Sequence, residues 1–338
     1  MTGGARAERL RNGTPNVALI GCGLIGAKRA AALGPARLVA CADIDRRRAE
    51  AIAVTTPGAA VMADWRAAVA LADVDVVIVS TVNSALAPVT LAAVAAGKHV
   101  LVEKPAALSA AELDGVTAAA AAAGVSVRVG FNHRYHPAAR KARELFDMGA
   151  LGEMMFVRGR YGHGGRLGYE KEWRADPAVA GGGELIDQGV HVIDLARWFL
   201  GDFTSVDGFA HTYFWPMPVD DNAFLLLRTG GGQTASLHVS CTEWKNLFSF
   251  EIYGRKAKLH IEGLGGSYGV ERLSFYRMTP AMGPPETTIW EYPGADRSWA
   301  VEFAEFLDDL RLTRRPAAGL PDARAALQIV GAIYRAAS

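Results

Sequence analysis

The rhythm of hydrophobic and polar positions changes near residue 150. Before it, apolar runs at 16–23, 37–45, 74–83, 98–105 and 125–132 alternate with alanine-rich stretches at 27–34, 46–53, 85–97 and 109–124. Runs such as VVIVS and HVLVE have no polar alternate position, so both faces of each strand are buried, as in a parallel sheet covered by helices. Strand–helix alternation with right-handed crossovers then predicts a doubly wound α/β domain. Residues 118–123 are all alanine and read as a strong helix ended by Gly124. After a predicted helix over 137–148, the runs at 153–162, 203–215, 222–232, 233–241, 247–254, 257–263 and 272–278 are separated by glycine-rich turns. They predict a large, mainly antiparallel, open-faced sheet in an α+β domain. One helix, 185–201, interrupts these strands, and two more, near 299–312 and 322–336, close the chain. The expected organisation is a loose tail over 1–13, a first domain over 14–132 and a second over 133–338. The last helix is expected to pack back on the first domain.

Composition narrows the function classes. The 338 residues hold 36 Lys and Arg against 35 Asp and Glu, a formal net charge of +1, which argues against a nucleic-acid or polybasic membrane partner. No apolar run approaches the roughly 18 residues needed to cross a bilayer, and residues 1–13 lack the apolar stretch of a signal peptide. Cys22, Cys41 and Cys241 are odd in number, far apart and without metal-ligand spacing, so a reducing, cytoplasmic compartment is expected.

Gly21-Cys22-Gly23-Leu24-Ile25-Gly26 follows the first strand and opens a helix. Its glycines suit a tight turn, close approach of a pyrophosphate and helix–strand packing, with the phosphates on the helix N-terminus. Asp43 ends the second strand 22 residues after Gly21, where a carboxylate takes the ribose hydroxyls of a dinucleotide. This is a Rossmann arrangement, and Asp43 favours NAD by repelling the 2′-phosphate of NADP. Arg46, Arg47 and Arg48 argue the other way if they reach that phosphate, and are bland if they form a solvated helical turn.

Glu103-Lys104-Pro105 ends a buried strand at the edge where open α/β sheets bind ligands. Proline holds Lys104 out of helical geometry and admits a cis bond, so an ammonium is aimed at a substrate oxygen; the alternative is a surface lysine in a turn. Gly181-Gly182-Gly183 leads into the interrupting helix, where Asp187 and His191 lie four apart on one face and Asp194 three beyond. The glycines are expected to admit a cofactor ring and a substrate. Histidine titrates near neutrality and suits proton transfer. Metal binding by His191, Asp187 and Asp194 is the rival reading, and helix capping by Asp187 the bland one.

GCGLIG, the acidic strand end CADID, VEKP, GFNHRYHP and GGGELIDQGVHVIDLARWFLG together resemble the glucose–fructose oxidoreductase / inositol dehydrogenase / MocA family, over nearly the whole chain. The resemblance implies an NAD(P)-dependent oxidoreductase of sugars, cyclitols or nucleotide-linked sugars. It implies Lys104, Asp187 and His191 as the catalytic group, and Thr81, Asn83, Glu103, Lys104 and Asn132 along the cofactor, with Arg134 near the nicotinamide. The alternatives are a non-catalytic dinucleotide sensor or an NAD-dependent glycoside-cleaving enzyme of the same family.

Residues 158–176 hold Arg158, Arg160, Arg166, Lys171, Arg174 and His163 against Glu170, Glu172 and Asp176. They read either as a clamp for a phosphate or carboxylate or as a solvated, self-compensated loop. Tyr161 and Trp173 offer flat faces to a sugar ring, and Trp244-Lys245 is a weaker candidate for the same pocket. The strands at 247–253, 257–263 and 273–277 have too few helices to cover both faces. An uncovered apolar sheet face predicts a homodimer or dimer of dimers.

Overall fold

The computed structural model describes residues 2–279, 281 and 283–337. The first apolar runs become β1 (Asn16–Ile20), β2 (Arg37–Ala42), β4 (Val76–Val79), β5 (His99–Glu103) and β6 (Val127–Gly130), joined by a short β3 (Ala60–Met62). They pair in parallel in the order β3-β2-β1-β4-β5-β6, the doubly wound arrangement. The inner strands are buried on both faces, as their unbroken apolar character requires. Strand β3 escaped the pattern because it is only three residues long, with Ala60 exposed and Val61 and Met62 half-buried.

The alanine helix, Ala110–Ala123, starts with a reciprocal cap in which the Ser109 hydroxyl accepts from the Glu112 amide. It ends at Gly124 in the left-handed region, φ +63°.

The tail expected to be loose is instead a helix, Thr2–Arg11. Its anchor is ionic, so apolar periodicity did not reveal it. Asp75 is fully buried at the head of β4, where an unpaired carboxylate would be costly. Arg9 donates to it from Nε at 2.7 Å and Nη2 at 2.8 Å, and the Asn16 amide donates at 2.8 Å.

The chain forms two compact units, Met1–Phe131 with Trp299–Arg324, and Asn132–Ser298 with Ala325–Ser338. The return to the first unit thus comes from the penultimate helix, Ser298–Arg311, and the start of the last, Leu320–Ala337. Phe303, Phe306 and Leu307 enter a core with Leu19, Leu38, Ile78 and Leu101.

In the second unit β7 (Met154–Gly162), β8 (Phe203–His211), β9 (Asn222–Thr229), β10 (Thr234–Ser240), β11 (Leu247–Gly254), β12 (Ala257–Glu262), β13 (Glu271–Arg277) and β14 (Glu286–Tyr292) form one sheet. Its order is β14-β13-β12-β11-β7-β10-β9-β8, with a single parallel pair, β7 and β10, among antiparallel neighbours. The helices Pro137–Asp147 and Val190–Leu200 pack on this sheet, whose strands alternate buried and exposed positions. The exposed face is not apolar throughout, contrary to expectation. Arg158, Arg160, Glu251, Lys258 and His260 occupy its middle, and Phe209, Phe224 and Leu226 form an apolar patch toward β8. No helix among the described residues is long and apolar enough to cross a membrane.

Candidate functional site

Each of the first three glycines in the turn after β1 has its own reason. Gly21 has φ +91°, and a Cβ there would overlap the Ser80 carbonyl. At Gly26 a Cβ would overlap the Gly21 carbonyl oxygen, so helix Leu24–Ala31 can sit against the turn only without a side chain there. Gly23 is different. Its φ of −72° is ordinary, and the nearest atom to its missing Cβ is an Arg48 guanidinium nitrogen 3.9 Å away. The fold would accept a side chain at 23, so the cradle left open there matches a bound pyrophosphate.

Asp43 accepts from the Cys22 amide at 2.6 Å and the Asp45 amide at 2.8 Å, one bond per oxygen. A carboxylate offers about four lone-pair directions, so capacity for a ribose diol remains. Leu24 and Ile44, 76% and 103% exposed, flank Gly23 and Asp43 as apolar surfaces for a bound ring. Ile25, the next residue of the turn, is half-buried. Arg46 pairs with Glu50 at 2.7 Å and Arg47 with Asp45 at 3.1 Å in an exposed helical turn, the bland reading of the arginine run. Thr81 Oγ1 donates to the Val82 carbonyl at 3.2 Å, and Asn83 is buried at the start of helix Asn83–Ala95.

Strand β5 delivers Glu103 and Lys104, and the Lys104–Pro105 bond is cis. The Glu103 carboxylate is held by Arg29 at 2.6 Å, and Arg29 also pairs with Glu302 at 2.5 Å. All three are buried, so Glu103 anchors the strand end that carries Lys104.

In the second unit the helix opens with one π-turn, Leu185–Gly189, and continues as Val190–Leu200. Such turns recur at functional sites. The glycines before it were expected to admit cofactor and substrate. The close approach is instead from within the chain: a Cβ at Gly182 would overlap the Tyr334 hydroxyl, and one at Gly183 the Asp220 carbonyl.

Asp187 and His191 are both buried. Arg174 Nε donates to Asp187 Oδ2 at 3.0 Å, and its guanidinium lies 4.6 Å from the Trp173 ring centroid. The His191 ring stacks on His133 at 3.9 Å between centroids, with 28° between planes. Tyr161 stands edge-on to both, 6.2 Å from His191 and 5.0 Å from His133. Burial and the neighbouring Tyr268 hold the Tyr161 hydroxyl well above its ordinary pKa, and burial pushes Tyr268 up to about 12. Both phenols therefore stay protonated and can donate.

His163 Nε2 lies 3.5 Å from buried Glu184, and burial lowers its pKa, keeping the ring neutral. Sequence reasoning missed His133, Glu184 and Tyr268. His133 stood inside the quoted NHRYH run and Glu184 inside the quoted GGGELID run, whereas nothing local marked Tyr268.

The remaining candidate residues are packed against partners within their own unit. Arg134 and Asp194 are buried as an ion pair at 2.5 Å, which commits Arg134 and takes Asp194 out of the suggested metal cluster. Asn132 donates to Ser298 at 2.9 Å and lies 3.3 Å from the His133 ring nitrogen. Tyr161 is buried among aromatic rings rather than open as a flat face. Trp244 is 65% exposed and packs edge-on against Phe214 at 4.6 Å. The arginines at 158–176 pair with carboxylates, within the segment for Arg166 with Glu172 at 2.7 Å and outside it for Arg158 with Glu251 at 2.8 Å, Arg160 with Glu243 at 3.4 Å and Arg174 with Asp187.

Residues 15–131 match the profile described as an oxidoreductase family with an NAD-binding Rossmann fold, and residues 139–260 match the GFO/IDH/MocA C-terminal domain. Inositol 2-dehydrogenase 2 of Saccharopolyspora erythraea is 32% identical over 235 residues, 67% of this chain and 66% of that protein. Levoglucosan dehydrogenase of Pseudarthrobacter phenanthrenivorans is 28% identical over 231 residues, 58% of this chain and 57% of that protein. The matched segments thus span somewhat less than two thirds of these relatives. A solved levoglucosan dehydrogenase, in complex with NADH and levoglucosan, superposes with a TM-score of 0.87 at 23% identity, covering 96% of this chain and 97% of that one. At that identity the superposition speaks for the fold.

Proposed function

The chain belongs to the GFO/IDH/MocA oxidoreductase family, and from that premise we propose that it is an NAD-dependent dehydrogenase of an uncharged sugar or cyclitol. One observation carries the reading: Asp187, held by Arg174, and His191, stacked on His133, share one turn lined by protonated phenols. That set binds hydroxyls and moves a proton. The pairing of Arg166 with Glu172 and of Arg174 with Asp187 favours a neutral polyol over a phosphorylated or nucleotide-linked sugar. The sensor alternative has no use for such a proton-transfer group, and the family relatives named above are dehydrogenases.

The glycine turn and Asp43 would hold NAD, which would supply a hydride acceptor for the oxidation of an alcohol to a ketone. The chain's own residues do the rest. Lys104 donates a hydrogen bond to the substrate oxygen and stabilises negative charge as it develops. His191 receives the hydroxyl proton on its imidazole, and Asp187 fixes the orientation of the reacting alcohol. The reading is tested by screening sugars, cyclitols and nucleotide-sugars with NAD for nicotinamide absorbance at ~340 nm; turnover confined to phosphorylated or nucleotide-linked sugars sinks the neutral-polyol assignment.

NAD is expected to bind at least ~10-fold more tightly than NADP, because a charge-assisted hydrogen bond is worth about 1.5–3 kcal/mol and Asp43 repels a 2′-phosphate. Calorimetric titration with both cofactors checks this, and equal or tighter NADP binding transfers control of the site to Arg46–Arg48.

The setting we propose is the reducing cytoplasm, which suits three buried thiols. The assembly we propose is a homodimer or dimer of dimers joined through the exposed sheet face, supported by the Phe209, Phe224 and Leu226 patch. Light scattering at micromolar concentration should give at least twice the chain mass; a monomer rejects this assembly.

A further inference from the structure

Asp220 lies outside the proposed reaction, yet it is a buried carboxylate that grips the start of the reactive turn. Its Oδ1 accepts from the Gly183 amide at 2.9 Å, its Oδ2 from the Leu185 amide at 2.7 Å, and its carbonyl oxygen from the Glu184 amide at 2.9 Å. One residue thereby satisfies three successive amides at a helix start, where no intrahelical acceptor exists. The Tyr334 hydroxyl, from the last helix, donates to Asp220 Oδ1 at 2.7 Å, and its oxygen lies 3.2 Å from the Gly183 amide nitrogen. Gly182 and Gly183 leave space for this contact, since a side chain at either position would overlap Tyr334 or Asp220.

The grip leads directly to the proposed chemistry. The Asp187 amide donates to the Gly183 carbonyl at 3.0 Å, so the position of Gly183 sets that of Asp187, with His191 one turn further on. Burial raises the Asp220 pKa, and the bonds from Leu185, Tyr334 and Gly183 offset only part of that rise. The side chain is held in its buried place by the contacts that fasten the turn.

We propose that Asp220 and Tyr334 are positioning residues, a latch that holds the turn bearing Asp187 and His191 in its reactive geometry. The catalytic part of this proposal rests on the dehydrogenase reading above. A latch acts on turnover more than on binding, because a misplacement of about 1 Å can cost ~100-fold in rate while the cofactor's own contacts are untouched.

The test uses the full-length protein with Tyr334→Phe, which keeps the ring and removes the hydroxyl, and Asp220→Asn, which turns one acceptor into a donor facing an amide. Hydrogen exchange by mass spectrometry should show peptides covering 181–191 exchanging at least ~10-fold faster in each variant, with peptides of residues 16–131 unchanged. With a polyol found in the screen, kcat should fall ~10-fold for Tyr334→Phe and ~100-fold for Asp220→Asn, with the KM for NAD within about twofold of wild type. If Asp220→Asn does not fold, Tyr334→Phe decides alone. Unchanged exchange at 181–191 overturns the latch, and so does faster exchange with wild-type kcat. If the wild-type protein turns over none of the polyols but the variants still open this segment selectively, the latch stands as a structural device and the dehydrogenase reading falls.

Discussion

His191→Asn is expected to lower kcat by at least ~100-fold, since a general acid–base group typically contributes about 10²–10⁴-fold. Asparagine keeps much of the shape and some hydrogen bonding but removes the titrating nitrogen. The variant should fold, because the stack on His133 and the surrounding rings can be filled by a planar amide. It should bind NAD normally, because Gly21, Gly23, Gly26 and Asp43 are untouched. Lys104→Met is expected to do the same, keeping the stem and removing the charge that stabilises the substrate oxygen. The double variant should be little worse than the worse single one, since residues that act as a unit do not add. The pH–rate profile then separates their roles: loss of the acidic limb in one variant alone identifies the proton acceptor. Steady-state kinetics together with cofactor calorimetry make the measurement. Near wild-type turnover in both variants would remove the proposed reactive group and restore the sensor alternative.

Arg29→Met is expected to destabilise the dinucleotide-binding unit by about 3–5 kcal/mol, the range for breaking a buried ion pair by removing one partner. Arg29 is 1% exposed between Glu103 and Glu302, themselves 6% and 0% exposed, and its guanidinium also lies 4.5 Å from the Trp299 ring. Methionine fills the stem's volume but leaves two carboxylates enclosed together. For a unit of this size the loss corresponds to roughly 10–15 °C in Tm.

The pH dependence has a definite sign. Burial already holds the Glu302 carboxyl above its ordinary range, and without Arg29 the rise is larger. The folded state then keeps a proton that the unfolded chain releases, so stability falls as pH rises above the ordinary carboxyl pKa. The deficit should be smallest in mild acid and largest at neutral pH. Arg29→Met with Glu302→Leu should recover part of it, because one uncompensated charge is gone. Thermal melts across pH test both points, and a deficit under 1 kcal/mol at neutral pH would show the network to be replaceable.

The first unit was largely written in local pattern. Unbroken apolar runs are what a strand buried on both faces needs, and Gly26 and Asp43 answer to close contacts within one βαβ unit. The places of Lys104 at a strand end and of Asp187 and His191 at a helix start were equally readable, because local motifs mark such ends. Tertiary structure decided what depends on partners distant in sequence. Arg9 tied an unpatterned N-terminal helix to Asp75, and Arg29 found Glu103 and Glu302. Arg134 closed on Asp194, while Arg158 found Glu251 on β11 and Arg160 found Glu243 after β10. Gly182 and Gly183 were open to any close neighbour on the sequence, and only the fold brought Asp220 and Tyr334 to them. Apolar periodicity records which face of an element is buried. The partner of a buried charge is chosen by three-dimensional proximity, because its desolvation must be offset wherever the chain folding past supplies an opposite charge or a donor.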